Sequence, residues 1–197
     1  GWDLSFRALV EKALSLLAGE IEFDVDATSS RVLDFIRERY KNMMLRSDYG
    51  SDLVEASICG EFDRILSLRP KMAQLKEFTL SSDEFTPLAL TFKRVNNIIK
   101  KQTRIFGVNP ELFQEDAEKE LWKTYQALKD DVDGCMERSA FLDALGFMTK
   151  LRTPVDALFD QVEILTRDDA LRENRVGLLQ VISKFVLTIA DFSKFSI

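Results

Sequence analysis

The feature that most constrains the fold is helical periodicity in the last third of the chain. Five apolar residues recur there at spacings of seven, four, three and four: Leu171, Leu178, Ile182, Phe185 and Ile189. These spacings place them on one face of a helix. Thr166 is a candidate N-cap, and Asp168 and Asp169 put negative charge at the positive end of the helix dipole. We therefore predict one long amphipathic helix here, with Leu178 and Ile182 in the core.

The rest of the chain has the same period, and no segment is a convincing strand. Only 8 Gly and 4 Pro occur in 197 residues, which argues against an all-β fold with its many turns. We predict an all-α bundle of about eight or nine helices. Residues 1–26 would form an N-terminal helix and an extended linker, and residues 27–197 a helical region. Before the last long helix, helical segments are expected at residues 4–17, 28–45, 51–58, 62–68, 70–78, 81–101, 116–129, 137–151 and 153–159. Thr28 or Ser29 would cap the second segment, with Phe35 and Met43 pointing inward. Pro70 would break the chain between two short helices, and residues 130–134 would form an acidic loop.

Composition removes several classes of function. The chain has no histidine, which excludes His-dependent catalytic triads and His metal ligands. Cys59 and Cys135 lie too far apart for a zinc motif, and we expect two reduced thiols in a cytoplasmic protein. No apolar run approaches the length of a membrane span, and no phosphate-binding glycine loop or nucleophile elbow occurs. We expect no catalytic and no metal-binding residues. The absence of an initiator Met suggests a fragment of a longer chain.

The charge of the chain is unevenly distributed. The net charge of −6 has the wrong sign for a nucleic-acid-binding protein. However, residues 85–110 contain five basic residues and no acidic one, whereas residues 111–137 contain nine acidic residues and three lysines. Such a local excess of positive charge can bind phosphate while the whole molecule stays anionic.

These cations predict a basic strip on one helix. Four of its residues are spaced four, three and four apart: Lys93, Asn97, Lys100 and Arg104. They lie opposite an apolar face that runs from Phe92 to Ile99, and Arg94 and Lys101 widen the strip. Cations suit phosphates, and an amide such as that of Asn97 suits the edges of unpaired bases. The alternative is a solvated helix face that neutralises the acidic residues at 115–120.

The last helix also carries a resemblance to a known family. The sequence Asp169-Ala170-Leu171-Arg172 matches the tetrapeptide that names the DALR family of helical tRNA anticodon-binding domains. The longer stretch from Pro154 to Ser193 resembles the C-terminus of bacterial glycyl-tRNA synthetase beta subunits, and weaker similarity extends back to residues 93–98 and 35–39.

The resemblance implies a function for the chain. We expect a DALR-like fold that recognises the anticodon of tRNA(Gly), in an α2β2 assembly with the synthetase alpha subunit, and no contact with DNA or a membrane. The alpha subunit would carry most of the glycine activation. ATP and Mg would serve the full enzyme, and this fragment would hold no cofactor and be non-catalytic alone. The alternatives are a helical protein-interaction module that docks the alpha subunit, and the related domain of a single-chain arginyl-type synthetase.

Two arginines of the last helix complete the candidate site. Arg172 can pair with Asp168 or Asp169 on its own helix, so a structural role and an RNA contact are both open. Arg175 has Glu173 at a spacing that does not face it, and we expect Arg175 to be exposed and to contact RNA. The candidate tRNA-binding residues are Lys93, Arg94, Asn97, Lys100, Lys101, Arg104, Arg172 and Arg175.

Overall fold

A computed structural model describes residues 5–17, 19, 21–47, 49–59, 62 and 65–197. Within these ranges the chain is helical and contains no strand, which confirms the all-α fold class. None of the helices in this part of the chain is long and apolar enough to cross a membrane. The α-helices are α1 (Phe6–Leu17), α2 (Val25–Leu45), α3 (Ser51–Ser57), α4 (Ile65–Ser81), α5 (Phe85–Ile99), α6 (Asp116–Glu137), α7 (Phe141–Met148), α8 (Arg152–Gln161) and α9 (Asp169–Leu187). Short 3₁₀ turns lie at Pro110–Leu112, Thr149–Leu151 and Phe192–Lys194.

The larger of two hydrophobic cores lies among α5 to α9, with contributions from α3 and α4. Leu178 and Ile182 are fully buried in it, as their spacing predicts. The C-terminal 3₁₀ turn closes one end of this core. There the ring of Phe195 meets Phe85 edge to face, with centroids 4.9 Å apart. The predicted apolar face of the last helix is therefore confirmed, and it packs on α5 and α6.

A smaller core joins α2, α3 and the first half of α4. Tyr40 and Met44 are the large apolar residues that α2 buries. The prediction that Phe35 and Met43 point inward is wrong, because their side chains are 62% and 52% exposed. Helix α1 packs against α2 and buries only Leu14. The α1–α2 pair therefore presents apolar side chains to solvent.

Helix α2 begins inside the predicted linker. Asp24, rather than Thr28 or Ser29, is its N-cap, and the Asp24 side chain accepts a hydrogen bond from the backbone N–H of Ala27 at 2.9 Å. A carboxylate in this position satisfies an otherwise unpaired N–H and suits the positive end of the helix. Residues 25 and 26 are thus helical.

Two predicted breaks are also helical. Helix α4 continues through Pro70, whose missing N–H costs one hydrogen bond on an exposed side of the helix while Leu68 and Met72 hold the other side in the smaller core. Helix α6 continues through the acidic stretch at 130–134. Val132 and Cys135 keep the helical spacing of its buried face, and the neighbouring aspartates point to solvent.

Candidate nucleic-acid interface

The predicted basic strip lies on the last turns of α5 and on the loop that follows. Helix α5 ends at Ile99, and Lys100 is its C-cap residue. The backbone N–H of Gln102 bonds to the Ile99 carbonyl at 2.9 Å and tightens this last turn. Lys101 and Arg104 therefore lie in the loop, so the expectation that Arg104 shares the helical face of Lys93 is wrong. Lysines at a helix C-terminus also suit its dipole.

The C-terminal backbone and two side chains of α8 hold the first two cations of the strip. The Lys93 ammonium donates to the backbone carbonyl of Ile197 at 3.4 Å. The Arg94 guanidinium lies 4.3 Å from the ring centroid of Phe159 and 3.7 Å from a carboxylate oxygen of Asp160. The arginine remains about half exposed. Arg94 is thus positioned on an aromatic ring, but Asp160 offsets part of its charge.

The end of α5 presents an accessible part of the strip. The side-chain carbonyl of Asn97 accepts a hydrogen bond from the Lys100 ammonium at 2.6 Å, and both residues are exposed. Lys101 is exposed as well and forms no ion pair with any described residue. Two lysines and an amide are therefore available on one small surface.

Arg104 extends this surface from the loop. Its guanidinium lies 5.5 Å from the ring centroid of Phe106 and 3.8 Å from a carboxylate oxygen of Glu173, and the side chain is largely exposed. At that distance in water the ion pair with Glu173 is weak. The aromatic ring supports the guanidinium plane and leaves its donors free to face solvent.

Helix α9 clamps the loop through one side chain that the sequence analysis missed. The Gln180 amide nitrogen donates to the Arg104 carbonyl at 2.8 Å, and its oxygen accepts from the Phe106 N–H at 2.9 Å. Both ends of the amide are thus used, and they fix the backbone on either side of Ile105. These hydrogen bonds join residues that lie 74 and 76 positions apart in the sequence, so no pattern within the loop itself predicts them.

Two further residues of α9 complete the clamp. The Asn174 amide exchanges two hydrogen bonds with the backbone of Asn109, at 2.7 and 3.1 Å. At Gly177 the loop backbone comes so close that a Cβ atom would lie 2.7 Å from the Gly107 carbonyl oxygen. The spacing of three between Asn174, Gly177 and Gln180 was the available sequence signal, because it places two amides and a glycine on one side of α9. We call residues 100–109 the clamped loop.

The tetrapeptide at residues 169–172 forms the first turn of α9. Asp168 is the N-cap residue, and its side chain accepts from the Leu171 N–H at 3.1 Å, so the assignment of the cap to Thr166 is wrong. Arg172 pairs with Asp169 at 2.6 Å and donates to the Thr166 carbonyl at 3.2 Å. These contacts give Arg172 a structural role, and its side chain remains partly accessible.

Arg175 is buried, and the expectation that it is exposed is wrong. Its side chain is 6% exposed and that of Glu118 is 0% exposed. The Arg175 Nε donates to the Glu118 carboxylate at 3.0 Å, and a second guanidinium nitrogen donates to the Glu163 carbonyl at 3.0 Å. Arg175 therefore joins α9 to the start of α6 and to the segment after α8, and it does not present its charge to a ligand.

Another buried cation lies near the end of α9, apart from the strip. Lys71 is buried, and its ammonium donates to the Thr188 carbonyl at 3.4 Å. Burial lowers the pKa of Lys71, with a smaller opposite contribution from Cys59. Burial also raises the pKa of the Cys59 thiol to about 11, and this thiol donates to the Leu187 carbonyl at 3.5 Å. The thiol is therefore protonated and unreactive at neutral pH.

Comparison with known proteins places this site in a family. The family described as "DALR anticodon binding domain" matches residues 88–191. Three similar proteins are each called "Glycine--tRNA ligase beta subunit". Those of Trichlorobacter lovleyi and Syntrophotalea carbinolica are 36% identical over 98% of this chain, and that of Desulfatibacillum aliphaticivorans is 33% identical over all of it. The chain spans 28% of the length of each of these relatives.

The family match coincides with the part of the fold that holds the strip. It starts in α5, ends just after α9, and includes the whole clamped loop. It covers more than half of the 197 residues. The resemblance that residues 169–172 and 154–193 suggest is confirmed, and this chain belongs to the family of DALR anticodon-binding domains.

Proposed function

We propose that this chain binds the anticodon region of tRNA(Gly) within the beta subunit of a glycine–tRNA ligase. It would thereby support the ATP-dependent attachment of glycine to that tRNA, in the cytoplasm. The observation that carries the proposal is that the family match at residues 88–191 coincides with the helices that display the basic strip. An acidic body repels RNA elsewhere, so the strip also orients the approach of the tRNA.

The residues of the strip divide into two roles. Lys100, Lys101 and Arg104 would bind phosphates, which fixes the position of the RNA without selecting a sequence. Asn97 would contribute base selection, because unpaired anticodon bases expose edges that an amide can hydrogen-bond. Its side-chain carbonyl is held by Lys100 at 2.6 Å, and its amide N–H groups make no hydrogen bond within the described part of the chain.

Catalysis would belong to other parts of the enzyme. ATP, Mg and most of the glycine activation are assigned in this proposal to the alpha subunit and the full assembly. This chain alone should then give no glycine-dependent pyrophosphate exchange, and measurable exchange would contradict the division of labour.

A tRNA titration at several salt concentrations tests the phosphate role. Replacing Lys100, Lys101 and Arg104 by Ala should weaken tRNA binding and reduce the slope of log K against log salt by about two units. The matched control replaces three α6 lysines, Lys119, Lys123 and Lys129, and should leave the slope nearly unchanged. Equal effects of the two triple variants, with helicity intact, would refute the assignment of the strip.

The Asn97→Ala variant tests base selection separately. It should reduce the preference for the glycine anticodon over a changed anticodon, while the salt slope stays the same because no charge is lost. A uniform loss across anticodons would assign Asn97 to positioning instead.

One observation favours a second function, the docking of another protein. Phe35, Arg39 and Met43 are spaced four apart on α2, and the Arg39 guanidinium lies 5.7 Å from the Phe35 ring centroid. Aromatic residues, Met and Arg are enriched at protein interfaces. Since the relatives are beta subunits by name, we propose the alpha subunit of an α2β2 synthetase as the partner.

A binding assay with the alpha subunit tests this docking surface. Replacing Phe35 and Met43 together by Ser should weaken the association, whereas Leu80→Ser, at a 79% exposed leucine near the end of α4, should not. Unchanged association of the double variant would exclude this surface. A concentration-dependent self-association that the double variant abolishes would assign the surface to a second copy instead.

A further inference from the structure

The most exposed large apolar side chain of the described residues lies beside the basic strip. Ile105 is 92% exposed, and it sits between Arg104 and Phe106 in the clamped loop. An isoleucine in water forgoes the free energy that burial of its side chain would give. Its neighbour Phe106 does pack against the core. The chain therefore turns one of two adjacent apolar side chains outward.

The outward position of Ile105 is fixed by hydrogen bonds on both sides of it. Gln180 bonds the carbonyl of Arg104 and the N–H of Phe106, at 2.8 and 2.9 Å. The next residue along the chain, Gly107, packs closely against Gly177 of α9. The exposure of Ile105 is thus a property of a held backbone conformation, so the loop does not have to become ordered when the side chain meets a ligand.

The surroundings of Ile105 suit a nucleic-acid base. Lys101 and Arg104 lie in the same loop, and residues 85–110 contain no acidic residue. The Glu173 carboxylate of α9 lies 3.8 Å from Arg104, but both side chains are exposed, so this pair is weak and a phosphate can compete for the guanidinium. The face of an unpaired base is apolar, and its phosphate is anionic. A protein partner of the usual kind would need a wider apolar area than one side chain flanked by cations.

We propose that Ile105 and Arg104 together bind one unstacked nucleotide of the anticodon loop. Ile105 packs against the face of the base, and Arg104 binds the adjoining phosphate. Gln180 is a positioning residue, which acts by holding the backbone between them. This inference rests on the proposed function and adds a residue and a base contact to it.

The test combines the Ile105→Ser variant with tRNA(Gly) transcripts that each lack one base of the anticodon loop. On the intact transcript, the variant should bind about fivefold more weakly, equal to about 1 kcal/mol, since a base covers part of the side chain. The salt slope should not change, because no charge is removed. On one abasic transcript the loss should disappear, and that transcript identifies the base. Leu80→Ser, which alters a similarly exposed side chain on α4, serves as the control and should bind every transcript as wild type does.

The Gln180→Leu variant separates positioning from contact. It should cause a comparable loss on the intact transcript, and adding Ile105→Ser to it should cause little further loss, since the two changes remove the same contact. Independent, additive losses would overturn the positioning role.

The outcomes distinguish this inference from the proposed function. If wild type binds no tRNA, both fail. If wild type binds tRNA and Ile105→Ser binds equally well, only the base contact fails. A loss that persists on every abasic transcript would also refute it. Retained tRNA binding with weakened association of the alpha subunit would assign Ile105 to a protein interface.

Discussion

Replacing Arg175 by Met removes one half of an ion pair that is nearly closed to solvent. The change deletes the 3.0 Å contact with Glu118 and the 3.0 Å hydrogen bond to the Glu163 carbonyl. The Glu118 carboxylate, 0% exposed, is left with two donors, the backbone N–H groups of Gln114 and Glu115 at 3.0 and 2.8 Å. A buried carboxylate then lacks its counter-charge.

Removing one partner of a buried pair lowers the free energy of unfolding by roughly 3–5 kcal/mol. The two remaining N–H donors stabilise the Glu118 carboxylate, so we expect a loss near the lower end, about 3 kcal/mol. That is comparable to Leu178→Ala in the same helix, for which transfer and cavity terms give roughly 2–5 kcal/mol. It is a large fraction of the ~5–15 kcal/mol that stabilises a typical domain.

Urea unfolding followed by circular dichroism measures these losses. The double variant Arg175→Met, Glu118→Gln should lose less stability than the sum of the single variants, by roughly 0.5–3 kcal/mol, because each single variant already breaks the pair. The folded Arg175→Met protein should bind tRNA with the affinity of wild type, because the Arg175 guanidinium of wild type is buried and does not reach the surface. A loss below about 1 kcal/mol, the value of an exposed pair, would refute the argument from burial.

Three further predictions concern Gly177, Lys71 and Cys59. Gly177→Ala should destabilise the fold by roughly 1–3 kcal/mol in urea unfolding, because its Cβ would meet the loop backbone at 2.7 Å. The control Gly146→Ala, with nothing within 4 Å, should instead stabilise α7 by roughly 0.5–1 kcal/mol. Lys71→Met should raise the free energy of unfolding most at pH values below the lowered folded-state pKa of Lys71, where folding buries a charged ammonium. The difference in stability between the variant and wild type should shrink as the pH rises from the lowered folded-state pKa towards the ordinary value of 10.5, because wild type gains stability in that range. A difference that does not change with pH would contradict this prediction. Cys59, with a pKa of about 11, should react with iodoacetamide at neutral pH far more slowly in the folded protein than in urea, and equal rates would contradict the raised pKa.

Local periodicity was sufficient to determine the fold class and the inner faces of the best-packed helices. Leu178 and Ile182 are buried because residues spaced at helical period on an apolar face share one environment wherever the helix packs. The cations at residues 93–104 were likewise evident from the sequence, since a stretch with five basic residues and no acidic one needs no tertiary information to be recognised. The tetrapeptide at 169–172, together with the longer resemblance at 154–193, indicated the family, because a motif is read directly from the order of the residues.

The tertiary structure decided which side chains of each element are available. Arg175 has no facing partner on its own helix, and its partner Glu118 lies 57 residues away, so its burial could not be predicted from spacing. Phe35 and Met43 follow the helical period, but the packing of α2 on α3 and α4 selected the neighbouring face instead. The clamped loop depends on Gln180, whose amide bonds the backbone of Arg104 and Phe106 from 74 to 76 residues away in the sequence. A sequence shows which residues can share one face of a helix. Contacts between distant elements determine which of those faces is buried and which polar groups pair with each other.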